Sequence, residues 1–190
     1  MEYRIGKENL LMELRGWNLF LKRKVYLIAC GGTALTLLGI KSSTKDIDFM
    51  VPNIDEYVYL VKTLKDLGYR QVTGLGFARD GKFIFDLFCG NKIHTTELLN
   101  TPLRDGGNIF YHELNYIYIG ILNFYDLMIS KLFRGSQVDF DDCVMLVKAK
   151  RNEIDMDIFK ERFLETALYD VSQDKVIKSM KRFVRIIQRG

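Results

Sequence analysis

Two aspartates one residue apart form the pattern in this sequence that most favours chemistry. Asp46 and Asp48 are separated by Ile47 and followed by Phe49. On a strand, residues at i and i+2 point to the same side, so both carboxylates would share one face and the apolar residues the other. Adjacent carboxylates repel each other unless a cation neutralises them, and Mg²⁺ prefers carboxylate oxygens together with substrate phosphates. The pair therefore predicts a site for Mg²⁺ or Mn²⁺.

A glycine pair precedes these acids. Gly31 and Gly32 stand between an apolar, strand-like run at Val25–Ala29 and a helix-like run that begins at Thr33. Glycine permits tight turns and a close approach of the backbone to a ligand. The free N–H groups at the start of a helix favour an anion, most often a phosphate. We therefore expect the elbow at Gly31, Gly32 and Thr33 to bind phosphates.

Each half of this pattern has an ordinary explanation. A Gly-Gly pair alone is usually a turn, and an Asp-x-Asp alone is usually a solvated strand end or a helix cap. The two halves occur here in a fixed order, with thirteen residues between Gly32 and Asp46, and this combination favours a site. The polar loop between them offers Ser43 and Lys45 as further phosphate contacts, although both could be plain loop residues.

The run Gly31–Leu35 together with Ser43–Phe49 resembles the signature of the nucleotidyltransferase (polymerase-β-like) superfamily. It is most similar to the minimal nucleotidyltransferases, which include abortive-infection-type (AbiEii-like) toxins. The resemblance implies an ATP-binding or other NTP-binding transferase that moves a nucleoside monophosphate to a hydroxyl of RNA, of a protein or of a small molecule. It also implies a role as a toxin with an antitoxin partner. One departure is that many members have Gly-Ser where this chain has Gly31-Gly32.

Asp86 is the predicted third acid of this site. It is the only polar interior residue of the strand-like stretch at 82–88, and a carboxylate among aromatic side chains is costly unless it is paired or metal-bound. The resemblance implies that such an acid binds metal with the first two, or acts as general base toward the attacking hydroxyl. The alternative is an acid at the strand edge paired with Arg79 or Lys82.

Lys131 belongs to a second pattern further along the chain. Asn123 and Asp126 are expected to cap a helix that carries Lys131, and Asp139 and Asp142 follow it. The resemblance implies that Lys131 contacts the triphosphate, where it would neutralise developing charge. Lys131 could instead be an exposed lysine, and the two later acids are equally well explained as caps of the next helix.

Composition and length favour an ordinary globular protein of α/β (α+β) class. The chain has 190 residues, is 48% hydrophobic and carries a net charge of +4. The three cysteines show no metal or disulfide spacing, which fits a reducing cytoplasm. The longest uncharged run, Val25–Ile40, is too short to span a bilayer, so no membrane contact is expected.

The resemblance implies a mixed β-sheet flanked by helices, and the spacing of apolar residues predicts a helical C-terminal part after it. We expect a nucleotidyltransferase core at 1–122 and a helical part at 123–190 packed on it. Within the core, the pattern predicts helices at 7–21 and 54–67, strands at 25–29, 69–72 and 82–88, and a further strand at 114–119. Trp17 is expected to anchor the core.

The last helix is strongly basic. Between Asp174 and the C-terminus the sequence has six basic residues and no acid. The basic side of this helix is explained either by a contact with nucleic acid or by exposure to solvent opposite an apolar stripe. Two rival functions also stay open: a nucleotide-binding or nucleic-acid-binding module of the same fold without turnover, and a metal-dependent glycosyltransferase, which the glycine elbow and the short chain disfavour.

Overall fold

The structure, a computed structural model, describes residues 4–81 and 83–189. These residues form two compact units. The first comprises residues 1–91 and 100–122 and contains the main sheet. The second comprises 92–99 and 123–190 and is largely helical. The predicted mixed α/β fold is confirmed, but residues 92–99, which the sequence assigns to the core, group with the helices.

The sheet of the first unit has seven strands in the order β3-β4-β5-β2-β1-β9-β8. Strands β2 and β5 are parallel, as are β1 and β9, and the remaining neighbours are antiparallel. The strands are β1 Val25–Ala29, β2 Ile47–Val51, β3 Arg70–Gln71, β4 Gly76–Arg79, β5 Phe83–Cys89, β8 Asn108–Glu113 and β9 Ile117–Leu122. Three adjacent interior strands, β2, β1 and β9, are almost wholly buried, as expected for apolar runs without strict alternation.

Three helices accompany this sheet, namely α1 Lys7–Asn18, α2 Gly31–Leu37 and α3 Ile54–Asp66. Trp17 of α1 is 2% exposed, packs on Phe85 of β5 at 4.6 Å and donates a hydrogen bond to the Tyr69 hydroxyl at 3.0 Å. It is therefore the predicted core anchor. Asn53 caps α3 by accepting hydrogen bonds from the next turn, which fixes where that helix begins after β2.

The sequence reading and the structure differ along the β8–β9 edge. No strand is predicted at β8, and the strand predicted at 114–119 lies three residues too early, because β9 spans Ile117–Leu122. β8 is an edge strand with mostly half-exposed or exposed residues and a bulge between Phe110 and His112. A bulge breaks the alternation on which strand recognition depends.

The helical unit contains α4 Phe124–Arg134, α5 Gln137–Ala149, α6 Met156–Ala167, α7 Gln173–Arg189 and a small hairpin of β6 Lys92–Ile93 and β7 Thr96–Glu97. Asn123 caps α4 as predicted, and Asp126 at its third position also accepts two hydrogen bonds from Arg162 of α6, at 2.7 and 2.8 Å. This paired, bidentate contact ties α4 to α6. Within the described residues, no helix is long and apolar enough to cross a membrane.

Candidate active site

The two strand acids of the predicted site lie side by side. Asp48 of β2 is in register with Asp86 of the parallel strand β5. Side chains in register on neighbouring strands project from the same face of a sheet, so the two carboxylates share one face. Their flanking residues Ile47, Phe49 and Leu87 are fully buried on the other side. Asp48 is only 8% exposed and Asp86 is half-buried, which places two acids close together in a largely dry environment.

The glycine elbow lies against the first of these acids. Gly31 begins α2 with a φ of +55°, a left-handed conformation that glycine adopts without strain. A Cβ atom at this position would lie 2.2 Å from Oδ2 of Asp48. The elbow therefore needs glycine for two reasons, its backbone conformation and its close approach to the carboxylate. Gly32 is similarly tight, since a Cβ there would lie 2.6 Å from the Thr44 hydroxyl.

A second glycine lies against the other acid. Gly76 of β4 is in register with Asp86, and a Cβ on Gly76 would lie 2.7 Å from Oδ1 of Asp86. Sequence analysis assigns no role to Gly76, because its contact with Asp86 depends on the pairing of two strands. Each strand acid thus has a glycine backbone packed against its carboxylate, and the glycine leaves room that a side chain would fill.

Two threonine hydroxyls fix the segment that carries the acids. Thr33 accepts a hydrogen bond from the Asp48 backbone N–H at 2.9 Å and donates to the Asp46 carbonyl at 3.4 Å. Thr44 donates to the same Asp46 carbonyl at 2.9 Å and pairs through its backbone with Ile5. The hydroxyl of Thr33 therefore holds the acidic segment in place. Thr44 has no sequence signal, because its role depends on the chain returning beside the elbow.

Asp46 departs from the expected geometry. Strand β2 begins at Ile47, so Asp46 occupies an exposed bend immediately before the strand rather than a position on it. Its charge still reaches the strand acids. Burial raises the pKa of the Asp86 carboxyl, and the negative charge of Asp46 raises that pKa further. The structure thus brings Asp46, Asp48 and Asp86 into one electrostatic neighbourhood, with Asp46 at its solvent side.

Of the two alternative partners for Asp86, Arg79 is engaged elsewhere. Arg79 lies 3.6 Å from Asp80 and over the ring of Tyr69, while Lys82 lies outside the described residues. Among the described residues, no group of three or more His, Cys, Asp and Glu side chains is already gathered at metal-binding spacing. The donors at this site are nevertheless carboxylate oxygens alone, which suits Mg²⁺ or Mn²⁺. A cation would offset the two effects that raise the pKa of Asp86, namely burial and the negative charge of Asp46.

The predicted loop contacts are placed as follows. Ser43 accepts a hydrogen bond from Nε of Arg4 at 3.0 Å, and its carbonyl accepts a second from Nη2 at 3.1 Å. Lys45 is exposed in the bend between Thr44 and Asp46. Both residues belong to the loop that leads into β2, and their contact with phosphate stays a prediction.

Lys131 is held within the helical unit. It is 3% exposed, and its Nζ donates to Asp142 at 2.7 Å and lies 3.6 Å from Asp139. Asp139 also accepts from Arg134 at 2.8 Å and forms a capping box with Ser136. Burial by itself would raise the pKa of Asp139, but the hydrogen bonds from Arg134 and Ser136 outweigh it and lower that pKa. Lys131 is therefore not an exposed lysine, and its predicted phosphate contact stays untested.

Comparison with solved structures shows what this fold is. ANT(2″)-Ia, in a crystal structure of its complex with adenylyl-2″-tobramycin, matches at a TM-score of 0.54 and 11% identity over 83% of this chain and 95% of that one. A solution structure of ANT(2″)-Ia, described as an antibiotic-resistance factor with substrate-regulated dynamics, matches at a TM-score of 0.52 and 13% identity over 96% of both chains. The chain therefore has the nucleotidyltransferase fold, and the predicted resemblance is confirmed at that level.

Other comparisons add less. A nucleotidyltransferase of Thermotoga maritima matches at a TM-score of only 0.47, with 16% identity over 79% of this chain and 97% of that one. No family model matches the sequence. No curated protein matches it either.

Proposed function

We propose that this chain is a metal-dependent nucleotidyltransferase, which transfers a nucleoside monophosphate from a nucleoside triphosphate to a hydroxyl acceptor. The observation that carries the proposal is the in-register pair of Asp48 and Asp86, with the backbone of Gly31 packed against the first carboxylate. A buried acid beside a half-buried one raises the free energy of the folded chain, and such a cost is typical of a functional site. The fold that this chain shares with ANT(2″)-Ia supports nucleotidyl transfer by analogy.

The acids would hold the metal ion. Asp48 and Asp86 supply carboxylate oxygens from neighbouring strands, and Asp46 supplies a third from the exposed bend. When bound, Mg²⁺ or Mn²⁺ would neutralise the acids and the triphosphate. This would support in-line attack of the acceptor hydroxyl on the α-phosphorus, with cleavage of its bond to the bridging oxygen and release of pyrophosphate. By the resemblance, Asp86 would also accept the proton of the attacking hydroxyl, and burial together with the charge of Asp46 raises its pKa, which favours that role.

The elbow would hold the phosphates. The N-cap residue of α2, Cys30, makes no side-chain capping hydrogen bond, so the first N–H groups of the helix at Gly31 and Gly32 depend on another acceptor. A phosphate oxygen is a suitable acceptor in this position, and Ser43 and Lys45 in the nearby loop would add to it. A phosphate contact of Lys131 rests on the motif resemblance alone.

The acceptor is a hydroxyl of RNA, of a protein or of a small molecule. Adenylyl-2″-tobramycin is present in the crystal structure of ANT(2″)-Ia, so this fold accommodates an adenylylated small molecule in that protein. A toxin role with an antitoxin partner rests on the resemblance of the motifs alone.

A transfer assay tests the proposal. Wild type and Asp48→Asn/Asp86→Asn are incubated with each α-labelled nucleoside triphosphate, Mg²⁺ or Mn²⁺, and in turn total RNA, soluble protein and a hydroxyl-rich small-molecule extract. We expect metal-dependent transfer of label to one acceptor class by wild type, and loss of transfer in the double variant. The matched control is Glu161→Gln/Glu165→Gln, which removes two exposed acids of α6 and should transfer as wild type does.

The alternative is a module of the same fold that binds nucleotide without turnover. The position of Asp46, exposed and one residue before the strand, favours it, because only two of the three acids are held by the sheet. In the same assay this alternative predicts metal-dependent retention of the unreacted triphosphate by wild type and no labelled acceptor of any class. That result would refute the transferase and leave the binding site intact.

A further inference from the structure

The net positive charge of the chain comes from its last helix. Six basic residues and one acid lie between Gln173 and the C-terminus, which leaves 22 basic and 23 acidic residues in the rest of the chain. At 3.6 residues per turn the six project within an arc of about 120°, and they span about 21 Å along the helix axis. They are Lys175, Lys178, Lys181, Arg182, Arg185 and Arg189. We call this surface the α7 stripe.

The α7 stripe is exposed and uncompensated. All six side chains are exposed, while Val176, Met180 and Phe183 on the opposite side of α7 are buried. Arg182 donates to Gln137 at 3.1 Å and lies over the ring of Phe140. Within residues 4–81 and 83–189, none of the six forms an ion pair with an acid.

Other basic residues of the same unit behave differently. Lys131, Arg134, Lys150, Lys160 and Arg162 each lie within ion-pair distance of an acid. Among the described residues of this unit, Lys92, Lys148 and Arg151 also lack an acidic partner, but α7 differs from the rest of the unit because six such cations lie on one face of one helix. A row of unpaired Lys and Arg attracts a polyanion, and each phosphate bound releases counterions.

A cavity opens at the N-terminal end of this stripe. It has a volume of about 430 Å³ and lies between the β6–β7 hairpin and the α6–α7 connection. Lys175 contributes to both the stripe and the cavity wall, so the two features are continuous. The exposed aromatic ring of Tyr169, 76% accessible, also lines the cavity. A volume of this size accommodates one nucleotide and excludes a duplex.

The cavity wall contains an unsatisfied polar group. Thr96 is 2% exposed, and its hydroxyl has no hydrogen-bond partner among the described residues. A buried hydroxyl without a partner costs free energy, and a ligand that reaches it would recover that cost. Beside it stand Lys92 and Lys175, and Glu97 and Asp170, so the wall carries equal numbers of cations and acids. Such a wall suits a base and a ribose, which are neutral and rich in donors and acceptors, better than it suits a phosphate.

From these two features we propose that the helical unit binds single-stranded RNA. The phosphates of the strand follow the α7 stripe, and one nucleotide turns into the cavity, where its base stacks on Tyr169 and its 2′-hydroxyl meets Thr96. Stacking on an aromatic ring and charge along the backbone are the two contacts that single-strand binders combine. Insertion into a membrane is disfavoured because the apolar face of α7 is already buried in the unit. The inference concerns binding alone and does not depend on nucleotidyl transfer.

The stripe is tested by fluorescence anisotropy with a labelled RNA of about 12 nucleotides, a length within the range that single-strand sites cover. Lys178→Glu/Lys181→Glu/Arg185→Glu reverses three charges on α7. It should weaken binding more than tenfold and reduce the slope of log K against log salt by about 2, since each lost phosphate contact contributes about 0.7. The control Lys62→Glu/Lys65→Glu/Lys148→Glu makes the same charge change at exposed lysines elsewhere and should stay within about threefold of wild type. Equal losses in the two variants would overturn the assignment of the stripe.

The cavity is tested by paired substitutions. Tyr169→Ala should weaken binding about tenfold, whereas Tyr169→Phe should preserve it, because stacking needs the ring and not the hydroxyl. Thr96→Val should weaken RNA binding while leaving the unliganded protein equally or more resistant to urea, since it removes an unsatisfied buried group. Thr96→Ser should bind as wild type does. If Tyr169→Ala and Thr96→Val both bind RNA normally, the cavity does not hold a nucleotide.

Competitors distinguish the ligand class. Unlabelled single-stranded RNA should displace the probe, single-stranded DNA of the same sequence should displace it less well, and the RNA duplex less well again. Preferential displacement by the duplex, or equal displacement by polyglutamate, would overturn the proposal in favour of general polyanion binding. None of these readouts requires a nucleoside triphosphate, so a negative transfer assay and a negative RNA result are independent findings.

Discussion

Substitution of Gly31 tests the close contact between the elbow and the strand acid. In Gly31→Ala, the new Cβ would lie 2.2 Å from Oδ2 of Asp48, and the backbone φ of +55° would be strained. The left-handed conformation costs a non-glycine residue about 1–2 kcal/mol. Forcing the neighbouring carboxylate aside adds about 1–3 kcal/mol, by analogy with overpacked interiors. The expected loss in the free energy of unfolding is therefore about 2–5 kcal/mol.

Gly39 supplies the matched control for this substitution. Its φ is +74°, and a Cβ there would meet no atom within 4 Å. Gly39→Ala should therefore show the backbone cost alone, about 1–2 kcal/mol. Urea unfolding of both variants gives the difference, which measures the contact with Asp48. The reasoning is refuted if Gly31→Ala is no less stable than Gly39→Ala, or if it retains full metal-dependent nucleotide binding while Gly39→Ala loses it.

Three further predictions concern the acids and the residues that hold them. Asp86→Asn should stabilise the metal-free protein, because burial raises the pKa of Asp86 and the folded state therefore binds its proton more tightly than the unfolded state does. The gain in the free energy of unfolding should be absent below the unfolded-state pKa of about 4 and should grow as the pH rises through the folded-state pKa, as measured by urea unfolding with a chelator. Lys131→Met should cost about 3–5 kcal/mol of unfolding free energy because it removes the cation from a buried pair, and Lys131→Met/Asp142→Leu should regain much of it; equal stability of single and double variants would contradict this. Thr33→Val should cost about 1–3 kcal/mol by removing the acceptor of a buried N–H in β2, whereas Thr36→Val, whose hydroxyl only bonds within its own helix, should cost less in the same unfolding assay.

The local sequence pattern was sufficient to predict the strands and the helix that position the site. The apolar run of β1, the glycine elbow and the apolar residues around Asp48 each determine their own conformation, and Trp17 follows from the amphipathic spacing of α1. Asp86 could be singled out because it is the one polar residue inside an apolar strand. Its register with Asp48, by contrast, is a property of the whole sheet, and only the structure gives it.

What sequence reasoning missed depends on distant parts of the chain. Gly76 acquires its role from the pairing of β4 with β5, and Thr44 from the return of the chain beside the elbow. The pattern of alternating acids places Asp46 on a strand, but an acid in the bend before the strand gives the same spacing. Residues 92–99 come soon after β5 in the sequence, yet β7 packs against α4. This contact joins distant parts of the chain, so no local sequence pattern predicts it.

Binding of Mn²⁺ is the most direct test of the metal site that the transferase proposal requires. Electron paramagnetic resonance counts free Mn²⁺ during titration of the protein in the presence of a non-hydrolysable nucleoside triphosphate analogue. We predict that Asp48→Asn and Asp86→Asn each weaken Mn²⁺ binding by more than about tenfold, as expected for loss of a ligand, and that Glu161→Gln/Glu165→Gln leaves it unchanged. Unaltered Mn²⁺ affinity in Asp48→Asn/Asp86→Asn would contradict the assignment of these two carboxylates as the metal site.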